Sequence, residues 1–383
     1  MAKTIRRKRT KKRKNTLPKL RVLTYKNKKH KYKLNESQQK RRKALDAGIR
    51  AERKTKKSIK KAATAKKARL NVLRIYRRNT KPKECNILTQ DMKYIDKKLI
   101  IEKVKVQYIA KKFDTPIYCY SYNQLKKNIN HFKKSFKSFS PLICFAIKSN
   151  TNVNLIREIK KFGLGADVVS KGEMVLSLKA GINPKKIVFS GVGKTKDEIR
   201  LVIKGGIKQV NVESESELSL LNSIAFNLNE CVSISIRINP NIDAETHEKI
   251  STGRSDNKFG IPYNEAIKIF DKASQFSNLK ISGIAVHIGS QLTDLKPYKR
   301  TFLKIAELIG ILKSKGHDIK RVDLGGGIGI AYSANSKVID LVDYGKLVKN
   351  VLGDLNCEFE FEPGRLIVGN AGLLVCSVIY LKC

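Results

Sequence analysis

The sequence predicts a (β/α)8 barrel preceded by a basic, partly helical segment. Three observations predict it. Eight short apolar runs lie between residues 142 and 362, amphipathic stretches closed by glycine alternate with them, and each run ends in a polar or glycine-rich group. Strands and helices alternating in that number suit a barrel whose reacting groups gather at the C-terminal ends of the strands. A doubly wound open sheet is the structural competitor, because it is built from the same alternation.

In chain order the first segment is 1–34, where RRKRTKKRKNTLPKLR at 6–21 is a block of like charge that cannot pack on itself and is expected to stay disordered. The second is 35–83. There Asn35 can act as an N-cap with Gln38 three residues on, the Ala/Lys/Arg-rich run favours helix, Gly48 interrupts it, and Leu70, Leu73, Ile75 and Tyr76 form a thin apolar stripe. Residues 84–115 read as a linker and the start of the next region, since the composition normalises after Pro82 and an alternating α/β series opens at Met92.

The barrel is expected over 116–372. Its apolar runs are LICFAI (142–147), GADVV (165–169), KIVFSG (186–191), QVNVE (209–213), CVSISIRI (231–238), ISGIAVHI (281–288), RVDLGG (321–326) and CEFEFE (357–362). Between them NVNLIREIKKFG, KGEMVLSLKAG, TKDEIRLVIKGG and LKPYKRTFLKIAELIGILKSKG have helical spacing and a closing glycine. The strand-end groups are Lys148, Asp167, Ser190, Glu213, Arg237, His287, Gly325 to Gly327, and Glu362 with Arg365. One lysine after a strand is usually solvated, but a whole rim of polar strand ends implies that Lys148 faces a pocket. Residues 373–383 follow the eighth strand.

Charge is unevenly spread. Residues 1–83 hold 35 Lys and Arg against Glu36, Asp46 and Glu52, a net of +32, while the other 300 residues carry +15. Clustered cations release condensed counterions from nucleic acid, so one expectation for the head is phosphate-backbone binding without sequence preference; a solvated tail is the other. The seven cysteines are scattered and never spaced C-x-x-C, which argues against a disulfide framework or a zinc site, and no metal is expected. The longest apolar run, LLVCSVIYL at 373–381, is short of a bilayer span and the N-terminus opens with charge, so a cytoplasmic location without a membrane partner is expected.

The motifs FAIKSN, GLGADVVSKGE, IRINPNIDAETHEKISTGRSDNKFGI, HIGSQ, DLGGGIGI and EPGRLIVGNAG occur in the order of, and resemble, those of diaminopimelate decarboxylases, fold-type III pyridoxal-phosphate enzymes with an alanine racemase-like barrel. The resemblance covers about 92–383, and HIGSQ favours this family over the ornithine and arginine decarboxylases. It implies a carbon–carbon lyase of lysine biosynthesis that converts meso-2,6-diaminopimelate to L-lysine, with pyridoxal 5′-phosphate as cofactor and a homodimer as the assembly. Loss of carbon dioxide from an amino acid leaves a carbanion that no side chain stabilises, which is why a bound electron sink is needed.

On this chain the resemblance implies that Lys148 holds the cofactor as a Schiff base, made nucleophilic by desolvation and a depressed pKa. It implies that Gly325, Gly326, Gly327 and Ser290 close on the phosphate, that Glu362 keeps the pyridine nitrogen protonated, and that His287 stacks on the ring and serves catalysis. Pro363, Gly364 and Arg365 border the cofactor, with Arg365 also near the substrate carboxylate. Asp167 and Arg237 contact the cofactor or support it from behind. Separately, residues 31–79 are weakly similar to small basic proteins encoded by large DNA viruses.

The resemblance also implies a part that is missing. In the family a β-domain follows the barrel, carrying a Cys-Glu-Ser-Gly-Asp motif and a Tyr that supply the proton donor and part of the substrate site, and residues 373–383 are expected to be only its beginning. None follows NAGLLVCSVIYLKC, so Cys383 is given no donor role. The expectation is a decarboxylase impaired by truncation, with apolar groups such as Leu373, Leu374, Val375 and Ile379 exposed. The alternative is a basic nucleic-acid-binding protein fused to an inactive decarboxylase fragment.

Overall fold

The computed structural model describes residues 34, 36–56, 67, 70, 82–96, 99–244, 252–253, 258–333 and 336–379. These fall into two units: one holds the described residues up to Ile117 with those from Cys376, the other spans Tyr118–Val375. No helix among the described residues is long and apolar enough to cross a membrane.

In the first unit α1 (Gln38–Lys56) starts at Ser37, whose Oγ accepts the Lys40 amide at 3.4 Å. The expected interruption at Gly48 does not occur. Gly48 lies between Leu45 and Ile49, both buried, and their packing outweighs the glycine's modest helix penalty. The partner is α2 (Pro82–Asp96), which places Leu88 against Leu45, Ile49 and Leu70, with Met92 beside them. The Arg41 Nε donates to Asp91 Oδ2 at 2.8 Å, an ion pair buried on both sides. The stretch from residue 84 that composition marks as connecting is therefore helical through Asp96, with Leu88, Asp91 and Met92 on one face. Asn35, Leu73, Ile75, Tyr76 and residues 1–33 lie outside the described residues. A hairpin of β1 (Ile100–Ile101) and β2 (Val104–Lys105) leads into α3 (Val106–Phe113).

Most of the second unit is a closed parallel barrel. After β3 (Ile117–Tyr120) and α4 (Tyr122–Ser135), it runs β4 (Leu142–Ala146), α5 (Val153–Lys160), β5 (Gly165–Val168), α6 (Lys171–Lys179), β6 (Ile187–Phe189), α7 (Lys196–Lys204) and β7 (Gln209–Val212). Then follow α8 (Glu215–Asn227), β8 (Val232–Asn239), the short β9 (Ile261–Pro262), α9 (Ala266–Ala273), β10 (Leu279–Ala285), α10 (Lys296–Ser314) and β11 (Arg321–Asp323). The chain continues with α11 (Leu341–Leu352), β12 (Glu358–Phe361), α12 (Arg365–Val368) and β13 (Gly372–Val375), the last paired with β3. β8 pairs with β10 in parallel from Leu279 opposite Val232 to Ala285 opposite Arg237, which closes the ring and excludes the open sheet. All eight expected strands are present.

Alternation along each strand splits the residues between two environments. On β12, Phe359 and Phe361 point outward. Phe361 meets Phe136 at 4.4 Å between ring centroids, Phe132 at 5.5 Å edge to face, and Tyr344 of α11, and this aromatic packing fixes the strand's rotation. Glu360 and Glu362 consequently point inward. The inward face is polar on neighbouring strands as well: Gln209 and Asn211 of β7, Ser235 and Arg237 of β8, and Asp323 of β11 are all buried. Of the apolar groups expected to be exposed, Leu374 and Ile379 are, whereas Leu373 is half-buried and Val375 is buried at the end of the β13 pairing, on the opposite face of the strand from Leu374.

Candidate active site

Lys148 lies where β4 gives way to one 3-10 turn, Ile147–Ser149. Buried Ala146 and Ile147 hold the turn, and the Ser149 hydroxyl donates to the Ala146 carbonyl at 2.7 Å. The Lys148 side chain is half-exposed, and its Nζ donates to Asp167 Oδ2 at 2.7 Å. Asp167 ends β5 fully buried, and its Oδ1 has no hydrogen-bond partner among the described residues. Desolvation pulls the Lys148 pKa down, but the Asp167 and Glu362 carboxylates more than offset it and leave the ammonium above its ordinary value. The expected depressed pKa is thereby corrected: with Asp167 in contact, attraction outweighs burial.

Glu362 follows β12. Ser190 Oγ donates to its Oε1 at 3.2 Å, and Asn211, which donates to both Ser190 and Asp323, ties it to the buried Asp323 carboxyl. Burial first, then Asp167 and Asp323, hold Glu362 well above the ordinary carboxylate range. His287 is pushed the other way. Desolvation, then Arg237 and Lys148, lower its pKa well below the usual value, so the imidazole is neutral. Its Nδ1 accepts the Gly326 amide at 3.2 Å, which places the ring proton on Nε2.

The glycine run between β11 and the following loop is a cradle that side chains would fill. Gly325 and Gly327 have φ of 63° and 92°, the left-handed region that favours glycine, and a Cβ on Gly326 would lie 2.3 Å from the Glu362 carbonyl oxygen. Gly326→Ala must displace backbone, since the obstacle is not a flexible side chain. The expected result is a loss of about 1–3 kcal/mol in thermal stability together with weakened cofactor uptake, both readable from melting curves with and without pyridoxal phosphate. An unchanged melting temperature and uptake would contradict the cradle.

Two adjoining cavities of about 360 and 350 Å³ share Lys148, His287 and Glu362. The first is also bordered by Ser290, Gly325, Gly326, Gly327, Pro363, Gly364 and Arg365; the second by Arg237. All the expected site residues thus converge, Asp167 through its contact with Lys148. Arg237 is turned to buried Glu213, 2.8 Å away, and lies over the Phe259 ring at 5.1 Å. Arg365 donates to Gln291 Oε1 at 3.2 Å and lies 5.9 Å from the Tyr332 ring centre. Gln291, Asn211 and Asp323 join the site without being among the expected residues. Each carries a sequence signal: Gln291 closes HIGSQ, in QVNVE every second residue is polar, and Asp323 alternates with Gly325 in DLGGG.

Tested against pyridoxal phosphate, these residues fit. The glycine cradle leaves room for a phosphate, the orphaned Asp167 Oδ1 is a buried acceptor beside the lysine, and the raised Glu362 suits a ring nitrogen.

Residues 122–369 match the family described as pyridoxal-dependent decarboxylase, pyridoxal binding domain, and residues 25–100 match a family of unknown function. A diaminopimelate decarboxylase of Aquifex aeolicus is 43% identical over 291 residues, which is 76% of this chain and 69% of the relative. That of Zymomonas mobilis is 42% identical over 288 residues, 74% of this chain and 68% of the relative. The crystal structure of diaminopimelate decarboxylase from Helicobacter pylori complexed with L-lysine superposes with a TM-score of 0.71 at 42% identity, covering 72% of this chain and 70% of that one.

Proposed function

From the premise that this chain belongs to the pyridoxal-dependent decarboxylases, in the diaminopimelate decarboxylase family, we propose that it removes a carboxylate from meso-diaminopimelate and releases L-lysine. Bound pyridoxal phosphate supplies the electron sink for the carbanion left by carbon dioxide. The chain's residues hold, orient and protonate around it. Lys148 is the point of attachment. Its Nζ must lose a proton to act as a nucleophile, and Asp167 at 2.7 Å is the acceptor in contact with it.

Glu362 would hold a proton for the ring nitrogen, and neutral His287 would lie against the ring without adding a positive charge. Gly325, Gly326 and Gly327 with Ser290 receive the phosphate, using backbone N–H groups and a hydroxyl. Pro363 and Gly364 border that pocket, and the Arg365 guanidinium serves the phosphate or the substrate carboxylate. Arg237, held by Glu213, orients groups from behind. A homodimer is also proposed, and sedimentation of the purified chain tests it.

The observation that carries this reading is the Lys148–Asp167 contact at the end of β4, beside Glu362 and above the glycine cradle. Carbon dioxide released from labelled meso-diaminopimelate should require both added pyridoxal phosphate and Lys148. Equal release from the Lys148→Ala protein would refute it.

A second activity is proposed for the head on its +32 charge over residues 1–83: binding to nucleic-acid phosphates without sequence preference. If roughly six to ten phosphates are engaged, affinity for DNA should fall by about a thousandfold or more between about 50 and 200 mM salt. Titrating two unrelated duplexes at several salt concentrations checks this; salt-insensitive or strongly sequence-selective binding would contradict it.

A further inference from the structure

Resting on the role of Glu362 given above, we infer that Asp323 is a positioning residue: clamped as a carboxylate by Asn211 and Gly325, it keeps Glu362 protonated and so able to give that proton to the ring nitrogen. The directions of the surrounding hydrogen bonds carry this. Asp323 Oδ1 accepts the Gly325 amide at 2.9 Å, and its Oδ2 accepts Asn211 Nδ2 at 2.9 Å. Both Asp323 oxygens therefore face N–H donors, as a carboxylate's do.

The same Asn211 Nδ2 reaches Ser190 Oγ at 3.0 Å, and the Ser190 hydroxyl proton is directed to Glu362 Oε1 at 3.2 Å. Asn211 Oδ1 in turn accepts Gln209 Nε2 at 3.1 Å, and a carboxylate at Asp323 favours the Nδ2 group on its side. With Asp323 supplied by donors on both sides, the proton between the two carboxyls belongs on Glu362.

The charges facing the pair act in the same sense or oppose it only in part. Asp167 from β5 adds negative potential; Glu360 from β12, which burial first and then Asp323 raise to about 7, adds it only in part at neutral pH, and Cys144 from β4 adds none while it stays a thiol. Lys148 opposes them but is drawn to Asp167; Arg237 is neutralised by Glu213, and His287 is uncharged. Two like charges buried on the same cavity wall cannot both ionise easily, so one proton stays. Delivery is a simple transfer. With the cofactor bound, the Glu362 O–H bond would break as an N–H bond forms at the ring nitrogen, the new carboxylate charge being matched by the ring's positive charge, with no change in oxidation state.

Infrared spectroscopy of the cofactor-free protein across a pH series tests this independently of catalysis. Above about pH 8, where Glu360 with its pKa of about 7 is ionised, the wild type should show the carbonyl stretch of a protonated carboxyl that is lost in Glu362→Gln and kept in Glu360→Gln. In Asp323→Asn, the midpoint at which it disappears should move to lower pH by about one unit or more, because the like charge is gone. Adding pyridoxal phosphate should abolish the band in the wild type. Absence of a Glu362-dependent band in the wild type overturns the inference whether or not the variant folds, and so does an unmoved midpoint in Asp323→Asn. Should pyridoxal phosphate fail to attach to Lys148, the functional reading fails, while the cofactor-free titration still judges the carboxyl pair.

Discussion

Lys148→Ala is expected to abolish covalent capture of pyridoxal phosphate and to lower decarboxylation by at least about ten-thousandfold, because attachment and proton handling at that nitrogen disappear together. The variant has a second effect. Asp167 is fully buried and its Oδ1 has no hydrogen-bond partner among the described residues, so removing the ammonium from Oδ2 leaves a buried carboxylate beside Glu362 with little to balance it. Breaking a fully buried pair costs about 3–5 kcal/mol; with the Lys148 side chain half-exposed, about 1–3 kcal/mol is expected. Lys148→Arg separates the two effects. It keeps a cation opposite Asp167 and should restore most of the stability, but guanidinium does not deprotonate, so capture and turnover stay lost. Turnover by Lys148→Arg within tenfold of the wild type would contradict the assignment.

Glu362→Gln carries the next largest effect. Glutamine fills the same space but cannot keep a proton in exchange with the ring nitrogen, and turnover should fall by about a hundred- to ten-thousandfold. Cofactor-free stability should move in the opposite direction. A carboxyl whose folded pKa is raised destabilises the fold progressively as pH rises from its unfolded value, about 4.3, to its folded value, by about 1.4 kcal/mol per unit of difference. Glutamine removes that penalty. The cofactor-free variant should match the wild type below about pH 4 and melt higher than it at neutral and alkaline pH. Melting curves across that range check it, and a variant that is less stable at pH 8 would mean that the Glu362 carboxylate is not under repulsion.

The barrel was legible because its outward faces are continuous apolar runs and its inward rim shows as a polar group at each strand end. The glycine cradle and Lys148 were legible for the same reason: each sits beside its strand in sequence. What remained hidden depends on neighbours across the ring. Asp167 precedes Ser190 by only one strand, yet it is bound to Lys148 of the strand before, and that contact reverses the direction expected for the lysine's pKa. Asn211 joins β6, β7 and β11 through one amide group, a meeting of residues 190 and 323 that no local pattern contains. In the first unit, Arg41 finds Asp91 fifty positions away, and the apolar packing around Leu45 and Ile49 carries helix through Gly48. Local spacing explains why the elements form; partners on other strands decided their electrostatics.

The central claim, that this barrel carries pyridoxal phosphate on Lys148, is tested most directly by reducing the cofactor-loaded protein with borohydride and locating the added mass by peptide mapping. One modified lysine is predicted, Lys148, with a visible absorption band that is lost on reduction, and no modification at that level in Lys148→Ala. Labelling of a different lysine, or equal labelling of the Lys148→Ala protein, would contradict it.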